Sequence, residues 1–273
     1  MVLSQARVKS KGKSKDRRKA TLYKLGIVIA LIGLWEAWRL WSDASPVLFP
    51  SAFDVLREFS ALALDGTLAK AAWGSLLILA SGLFIGVVMA FILAGLAISL
   101  KPFRYLYEVL TSAFNPLPAI GLFPLAIMWF GLGTAAMLVV MVHSTIWQMA
   151  TNTFVGFTTI SRTTVMVARN LGLSRWKMVL QVLLPSAYPY ILAGLRLSWA
   201  FGWRTVIAAE LVFGSIGRGG GIGYFIYVQQ QFLRTSSVLS GLLVIVLLGL
   251  AAEWMFLFIE RRTVRKWGMS NDA

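Results

Sequence analysis

The chain has 273 residues, 58% of them hydrophobic, and a net charge of +15, with a mean hydropathy of +0.74. Soluble domains contain about 45–50% apolar residues, and here the excess falls in long blocks, which is typical of a polytopic membrane protein. There is no cysteine and only one histidine, His143. These counts exclude disulfides, thiolate metal sites, a cysteine nucleophile and a multi-histidine metal centre.

The chain begins with a strongly basic segment. Residues 1–24 hold nine Lys or Arg and one acid, Asp16, which predicts a disordered basic arm. We interpret the arm as a cytoplasmic retention signal, while binding to nucleic acid or anionic lipid stays open as the alternative. Residues 25–41 predict the first span, an uncleaved anchor because no cleavage site follows. Within it, Glu36 and Arg39 predict a local ion pair.

A short helix is predicted outside the membrane within residues 45–70. Ser51 and Asp54 have the spacing of a capping box at its start. We expect the helix to lie on the membrane, because apolar residues share one of its faces: Val55, Leu56, Phe59 and Leu62.

Three spans are predicted next, at residues 71–100, 104–130 and 135–157. The first has small residues at every fourth position, a pattern that lets another helix approach closely: Gly82, Gly86, Ala90 and Ala94. The next contains two prolines that interrupt the helix, either as a plain kink or as a break lining a cavity: Asn115-Pro116-Leu117-Pro118. The last is predicted to turn one polar face towards the bundle or a pathway: Ser144, Gln148, Thr151 and Asn152.

The remaining segments are a polar insert at residues 158–188, spans at 190–213 and 238–259, and a tail at 261–273. The glycine-rich loop at 214–223 lacks a nucleotide-binding motif, because Ile222 stands where a third glycine is needed. We interpret it as a flexible turn.

The distribution of basic residues predicts the orientation. With both termini cytoplasmic, nineteen Lys and Arg lie in inside segments and four lie outside. This bias follows the positive-inside rule and places the 158–188 insert in the cytoplasm.

That insert contains the most informative motif of the chain. Gly172 is followed after nine residues by Val182-Leu183-Leu184-Pro185. The spacing resembles the signature loop of ABC importer permeases, which reads Glu-Ala-Ala, three residues, Gly, nine residues, Ile-x-Leu-Pro. Where the family has Glu-Ala-Ala, this chain has Met166-Val167-Ala168. The resemblance implies that the insert docks a separate ATPase through these residues: Met166, Val167, Ala168, Arg169, Leu171, Gly172, Ser174, Arg175, Val182, Leu184 and Pro185.

The resemblance extends over nearly the whole chain and is to permeases for nitrate, sulfonate, taurine and bicarbonate. The residues that carry it are Pro46 to Ser51, Asn115 to Gly131, Gly194-Leu195-Arg196-Leu197 and Ala209-Glu210-Leu211. It implies an all-α polytopic importer half of about six spans, with the type I, MetI-like architecture. It further implies a second permease copy, two ABC ATPases, an external binding protein, a bacterial inner membrane, and neither cofactor nor nucleic acid.

Charges within the fifth span suggest where a solute passes. Arg196, Trp199, Trp203 and Glu210 share one helical stripe, and Arg204 lies about 80° away from it at 100° per residue. Our hypothesis is that the stripe faces an anion pathway; the alternative is a structural pair of Arg204 with Glu210 or Glu253. His143 is expected to be a hydrogen-bonded interior residue, with titration as the alternative. The candidate pathway residues are Asn115, Pro116, Pro118, His143, Ser144, Gln148, Asn152, Arg196, Trp199, Trp203, Arg204 and Glu210.

Two classes of protein stay open. The first is a permease without catalytic residues, for a small anion or for another small solute such as an aromatic acid or vitamin precursor. The second is a polytopic membrane enzyme, which would need clustered His, Asp or Glu at one depth. No metal site is predicted.

Overall fold

The computed structural model describes residues 2–42, 45–214 and 220–264, with side chains from Leu22 onward. Every regular element in these ranges is helical, which confirms the predicted all-α class. The helices are α1 (Val2–Trp41), α2 (Ala52–Leu64), α3 (Thr67–Ser99), α4 (Lys101–Phe114), α5 (Phe123–Phe130), α6 (Thr134–Thr158), α7 (Arg162–Asn170), α8 (Arg175–Met178), α9 (Leu184–Phe213), α10 (Ile222–Gln231) and α11 (Thr235–Arg262).

Three helical segments of the described chain are long and apolar enough to cross a membrane. They are α3, the continuous rod Arg175–Phe213 and α11. A fourth span is possible if α4 and the Ala119–Phe130 segment, bent by 93°, count as one. The helices that hold the first and fourth predicted spans, α1 and α6, do not reach this standard, so six crossings stay a prediction.

Helix α6 lies at the centre of the bundle, between α3 and α9. A Cβ atom added at Gly82 or Gly86 of α3 would collide with the side chains of Met141 or Thr145 on α6. Ala90 is fully buried further along α3. The predicted role of the small residues in close packing is confirmed. Close backbone contact is how helices associate in lipid, where the hydrophobic effect does not drive them together.

The opposite side of α6 contacts α9 just as closely. A Cβ atom at Gly194 of α9 would lie 2.7 Å from the Cβ of Asn152. Ser198 donates its hydroxyl to the carbonyl oxygen of Thr145 at 2.9 Å. The polar residues of α6 are therefore used partly to hold α9.

Helix α2 begins with the predicted capping box. Asp54 N donates to Ser51 Oγ at 3.0 Å, and the Asp54 carboxylate accepts from the Ser51 backbone N–H at 3.3 Å. Hydrogen bonds from the Ser51 hydroxyl and backbone hold the pKa of Asp54 below its ordinary value. One side of the helix contacts protein, because Val55 is buried, and Phe59 and Leu62 pack against the protein core; its position on the membrane surface stays a prediction.

Helix α1 is attached to the start of α2. Glu36 binds Arg39 at 2.7 Å, as predicted, and also accepts from Ala52 N at 2.6 Å. Trp35 Nε1 donates to the carbonyl oxygen of Pro50 at 3.1 Å. The helix starts at Val2, which differs from the disordered arm predicted for residues 1–24. Lys and Arg, which are frequent there, both favour helix.

The glycine-rich segment leads into a helix that the sequence did not indicate. Residues 215–219 and 265–273 lie outside the described residues, so the predicted turn is described only at its ends and the tail only to Val264. Helix α10 begins at Ile222 and packs against α9 and α11. A helix, rather than a simple turn, therefore precedes α11.

Candidate docking loop and translocation pathway

The insert forms two helical segments joined by a sharp turn at Gly172. Helix α7 is capped by Ser161, whose Oγ accepts from Thr164 N at 3.1 Å. It ends in a Schellman motif, in which Gly172 N donates to Arg169 O at 2.9 Å and Leu173 N donates to Ala168 O at 3.3 Å. Gly172 has φ +73°, a left-handed conformation that favours glycine. The predicted helix–glycine–helix shape is confirmed.

The second half of the insert is continuous with the fifth span. Ser174 caps α8, and a π turn at Val179–Leu183 joins α8 to α9. The turn directly precedes Pro185, whose missing N–H interrupts the regular hydrogen-bond pattern. The rod continues from Arg175 to Phe213 and so extends beyond the predicted span at 190–213; the boundary at residue 188 between insert and membrane stays a prediction.

The surface of the insert combines exposed apolar and basic side chains. Leu171 and Trp176 are 74% and 77% exposed, and Met166 is also exposed. Ala168 is buried, so it holds the hairpin together and is not available to a partner. Large exposed apolar side chains within a polar, basic insert are candidates for contact with a protein partner. The basic residues beside them, also exposed, are Arg162, Arg169, Arg175 and Lys177.

The predicted break in the third span lies beside α6. Helix α4 ends at Phe114, and Asn115 accepts a hydrogen bond through Oδ1 from Gln148 Nε2 at 2.9 Å. Pro116 and Pro118 follow, and both are exposed. The structure thus brings Asn115 and Gln148 together at an exposed, irregular stretch of backbone.

His143 lies five residues before Gln148 on α6. Its ring is 6.2 Å from that of Phe114 and 6.0 Å from that of Trp147, measured between centroids. Neither of its ring nitrogens has a hydrogen-bond partner, although both are buried. The expectation of a hydrogen-bonded interior histidine is therefore wrong. Trp147 was missed as a candidate, because it lies outside the polar face predicted for α6.

The hydrogen bonds of Ser144 and Asn152 go to α9 and to α6 itself, and not to the break after α4. Ser144 shares a hydrogen bond of 2.8 Å with Thr205 on α9, and Asn152 donates to the carbonyl oxygen of Gln148 on its own helix at 2.8 Å. The single polar face predicted for α6 is therefore divided between α9 and the break after α4.

The contacts of the two arginines of α9 differ from those predicted from the sequence. Arg196 forms a bidentate ion pair with Glu253 on α11. Arg204 is exposed, and its guanidinium lies 5.8 Å from the ring centroid of Phe201. Arg204 forms no salt bridge with the described residues, so its expected pairing with Glu210 or Glu253 is wrong.

The other stripe residues of α9 are buried or half-buried. Trp199 and Trp203 stack with centroids 5.7 Å apart. Glu210 is 0% exposed and accepts hydrogen bonds from Ser75 Oγ and from Gly223 N at 2.9 Å. The candidate pathway residues therefore lie in three separate places, and the structure does not gather them into one site.

The chain matches the family described as binding-protein-dependent transport system inner membrane component over residues 82–265. This range includes the broken span, the insert and α9, so it covers both features described above. The chain belongs to this family. Its members form the membrane component of a transport system, which makes the chain a multi-pass membrane permease and sets aside the membrane-enzyme alternative.

Curated relatives match most of the chain. A taurine transport system permease protein, TauC of Escherichia coli, is 28% identical and covers 90% of this chain and 89% of the relative. A putative aliphatic sulfonates transport permease protein, SsuC of the same species, is 30% identical, with 86% and 89% covered. A nitrate import permease protein, NrtB of Leptolyngbya laminosa, is 29% identical, with 72% and 67% covered.

A solved structure has the same fold. A chain of the MetNI methionine ABC transporter, in an inward-facing conformation, superposes with a TM-score of 0.60 at 18% identity. The match covers 72% of this chain and 95% of that chain. The predicted type I, MetI-like architecture is thereby confirmed.

Proposed function

We propose that the chain is the permease half of an ATP-driven importer for a small anion. The observation that carries this proposal is the exposed helical hairpin around Gly172, at the end of a membrane bundle of the transport family. The described chain has no phosphate-binding loop, so ATP hydrolysis belongs to a separate ABC ATPase that binds this hairpin.

The surface of the hairpin suits a protein partner. Leu171 and Trp176 supply large exposed apolar side chains, and Arg175 and Lys177 surround them with positive charge. Buried aromatic anchors within a charged rim are typical of strong protein interfaces. The ATPase is expected to present an apolar groove with acidic residues at its edge.

The break after α4 suggests the position of a second copy. Irregular backbone is tolerated at membrane depth only against protein or a water-filled cavity. Asn115, Pro116 and Pro118 are exposed on the single chain, so they need such cover. Two copies that meet along this side would enclose the break and form a pathway between them.

The substrate class follows from the relatives. TauC, SsuC and NrtB carry taurine, aliphatic sulfonates and nitrate in their names, and all three solutes bear an oxyanion group. An external binding protein would deliver the anion to the side opposite the hairpin. Both termini would then lie on the ATPase side of a bacterial inner membrane, as the charge distribution predicts.

Uptake by cells tests this proposal. A strain deleted for the chain is compared with the same strain complemented by it, using labelled nitrate, taurine and methanesulfonate. We expect one of these anions to accumulate only in the complemented strain, and to stop accumulating when the hairpin is disabled by Gly172→Trp. Equal uptake of all three anions by both strains would contradict the anion assignment and point to another solute.

A further inference from the structure

Two neighbouring side chains of α6 have buried ring nitrogens without hydrogen-bond partners. These atoms are Nδ1 and Nε2 of His143 and Nε1 of Trp147. The residues are four apart, so they lie on one face of the helix. Buried polar atoms without partners are rare and cost stability. Two of them side by side suggest that their partner is a ligand.

The side chain of Phe114 covers these two rings. Its ring stacks on Trp147, with centroids 5.6 Å apart and an angle of 9° between the planes, and it also contacts His143 edge-on. Phe114 is the last residue of α4, directly before the break, and is 39% exposed. Rotation of this one side chain would connect the buried nitrogens with the outside of the chain.

Two amides lie next to Phe114 at the same place. Gln148 follows Trp147 on α6, and its amide nitrogen donates to Asn115, which follows Phe114. Four side chains with N–H donors therefore lie around or beside Phe114, and none of them carries negative charge. Tryptophan, amide and imidazole N–H groups all form strong, short hydrogen bonds to an anionic oxygen.

We infer that His143, Trp147, Gln148 and Asn115 form a transient binding site for the oxyanion group of the solute, reached when Phe114 moves aside. This inference rests on the proposed function. Transport needs binding that is favourable enough for entry and weak enough for release. Neutral donors provide such binding, whereas Arg196, the basic residue paired on α9, is already held by Glu253.

An aromatic substitution removes one of the donors. Trp147→Phe keeps an aromatic ring against Phe114 and removes the N–H group. We expect uptake of the anion to fall about tenfold, the effect of about 1.4 kcal/mol, with unchanged amounts of chain in the membrane and of bound ATPase. Trp254→Phe is the matched control, because Trp254 is 80% exposed on α11. Uptake of the anion by this variant should equal that of the wild type.

A second substitution changes the charge of the site without breaking the contact between helices. In Gln148→Glu, the amide of Asn115 can turn and donate to the new carboxylate, so the interhelical hydrogen bond persists. The negative charge should nevertheless abolish anion uptake. Gln230→Glu, at an exposed position of α10, is the control and should retain uptake.

The results separate this site from the proposed function. Wild-type uptake in both Trp147→Phe and Gln148→Glu would overturn the site and leave the importer assignment intact. Loss of ATPase binding in Trp147→Phe would also overturn it, since the residue would then be structural. Absence of anion uptake that depends on the wild-type chain would overturn the proposed function, and the site with it.

Discussion

Ser75 on α3 donates its hydroxyl to the carboxylate of Glu210 on α9, with distances of 2.8 and 3.0 Å to the two oxygens. Both residues are 0% exposed. The same hydroxyl oxygen accepts from Ile222 N at 2.9 Å, while Gly223 N donates to Glu210. The pair therefore joins α3, α9 and the first turn of α10, where a negative group also suits the helix dipole.

We predict that Ser75→Ala destabilises the bundle. The substitution removes a donor from a buried carboxylate, and the free energy of unfolding should fall by about 1–3 kcal/mol. Thermal unfolding in nanodiscs measures the change. Ser81→Ala is the control, because Ser81 is exposed and bonds only to Leu77 of its own helix. Equal stability of both variants would contradict a structural role for the pair.

Close packing of α3 on α6 predicts that Gly86→Ala is harmful. The added methyl group would meet the hydroxyl of Thr145 at the centre of the bundle. Overpacking of this kind costs about 1–3 kcal/mol. The control is Gly95→Ala on the same helix, where the methyl group enters open space. The amount of folded chain after detergent extraction should drop only for Gly86→Ala.

The left-handed conformation of Gly172 predicts a graded effect of substitution. No atom lies within 4 Å of an added Cβ, so the cost comes from the backbone alone. Gly172→Ala should cost about 1–2 kcal/mol and weaken ATPase binding, while Gly172→Asn should retain more binding because Asn tolerates this conformation. Pull-down of the ATPase measures both. Wild-type binding by both variants would show that the turn is not required.

The ion pair of Arg196 with Glu253 predicts non-additive substitutions. Arg196→Gln leaves a carboxylate unpaired on a membrane helix and should destabilise by about 1–2 kcal/mol. Adding Glu253→Gln should restore part of the lost stability, because it removes the unpaired carboxylate. Arg204→Gln is the comparison, and its unfolding temperature should stay near that of the wild type because Arg204 is exposed. A fall as large as that of Arg196→Gln would show an ionic role for Arg204.

The capping box of α2 predicts a dependence on pH. The pKa of Asp54 is lowered by its hydrogen bonds with Ser51, so the folded state favours the charged form. This contribution is present above the unfolded pKa and is lost as the pH falls through the folded pKa. The protection of residues 52–64 against hydrogen exchange, measured relative to the intrinsic rate at each pH, should therefore fall at low pH in the wild type. In Asp54→Asn the exchange rate, corrected for intrinsic chemistry, should no longer change across that range.

Local patterns were sufficient to predict several features of the fold. The spacing of Ser51 and Asp54 predicts a cap, the repeat from Gly82 predicts close packing, and the interval from Gly172 to Pro185 predicts the hairpin. Each depends on residues near one another in the chain. Their physical causes are backbone conformation and helical periodicity, which operate over a few turns.

The candidate site was harder to predict, because it depends on which helices become neighbours. Periodicity places Ser144 and Gln148 on one side of α6. It does not show that Ser144 contacts α9 while Gln148 contacts the residue after α4. The partner of Arg196 is 57 residues away, and that of Glu210 is 135 residues away. Helix α10 was missed because glycines at its start resemble a turn and its length is only 10 residues.

Native purification is the best test of whether this permease works with a separate ATPase through the Gly172 hairpin. The chain is tagged, extracted from its own membranes in mild detergent, and its partners are quantified by mass spectrometry, alongside Gly172→Trp as the disabled hairpin. We expect an ABC ATPase in nearly equal amount with the wild type and little with the variant. Intact, monodisperse wild-type chain without an ATPase, or equal recovery with both chains, would contradict it.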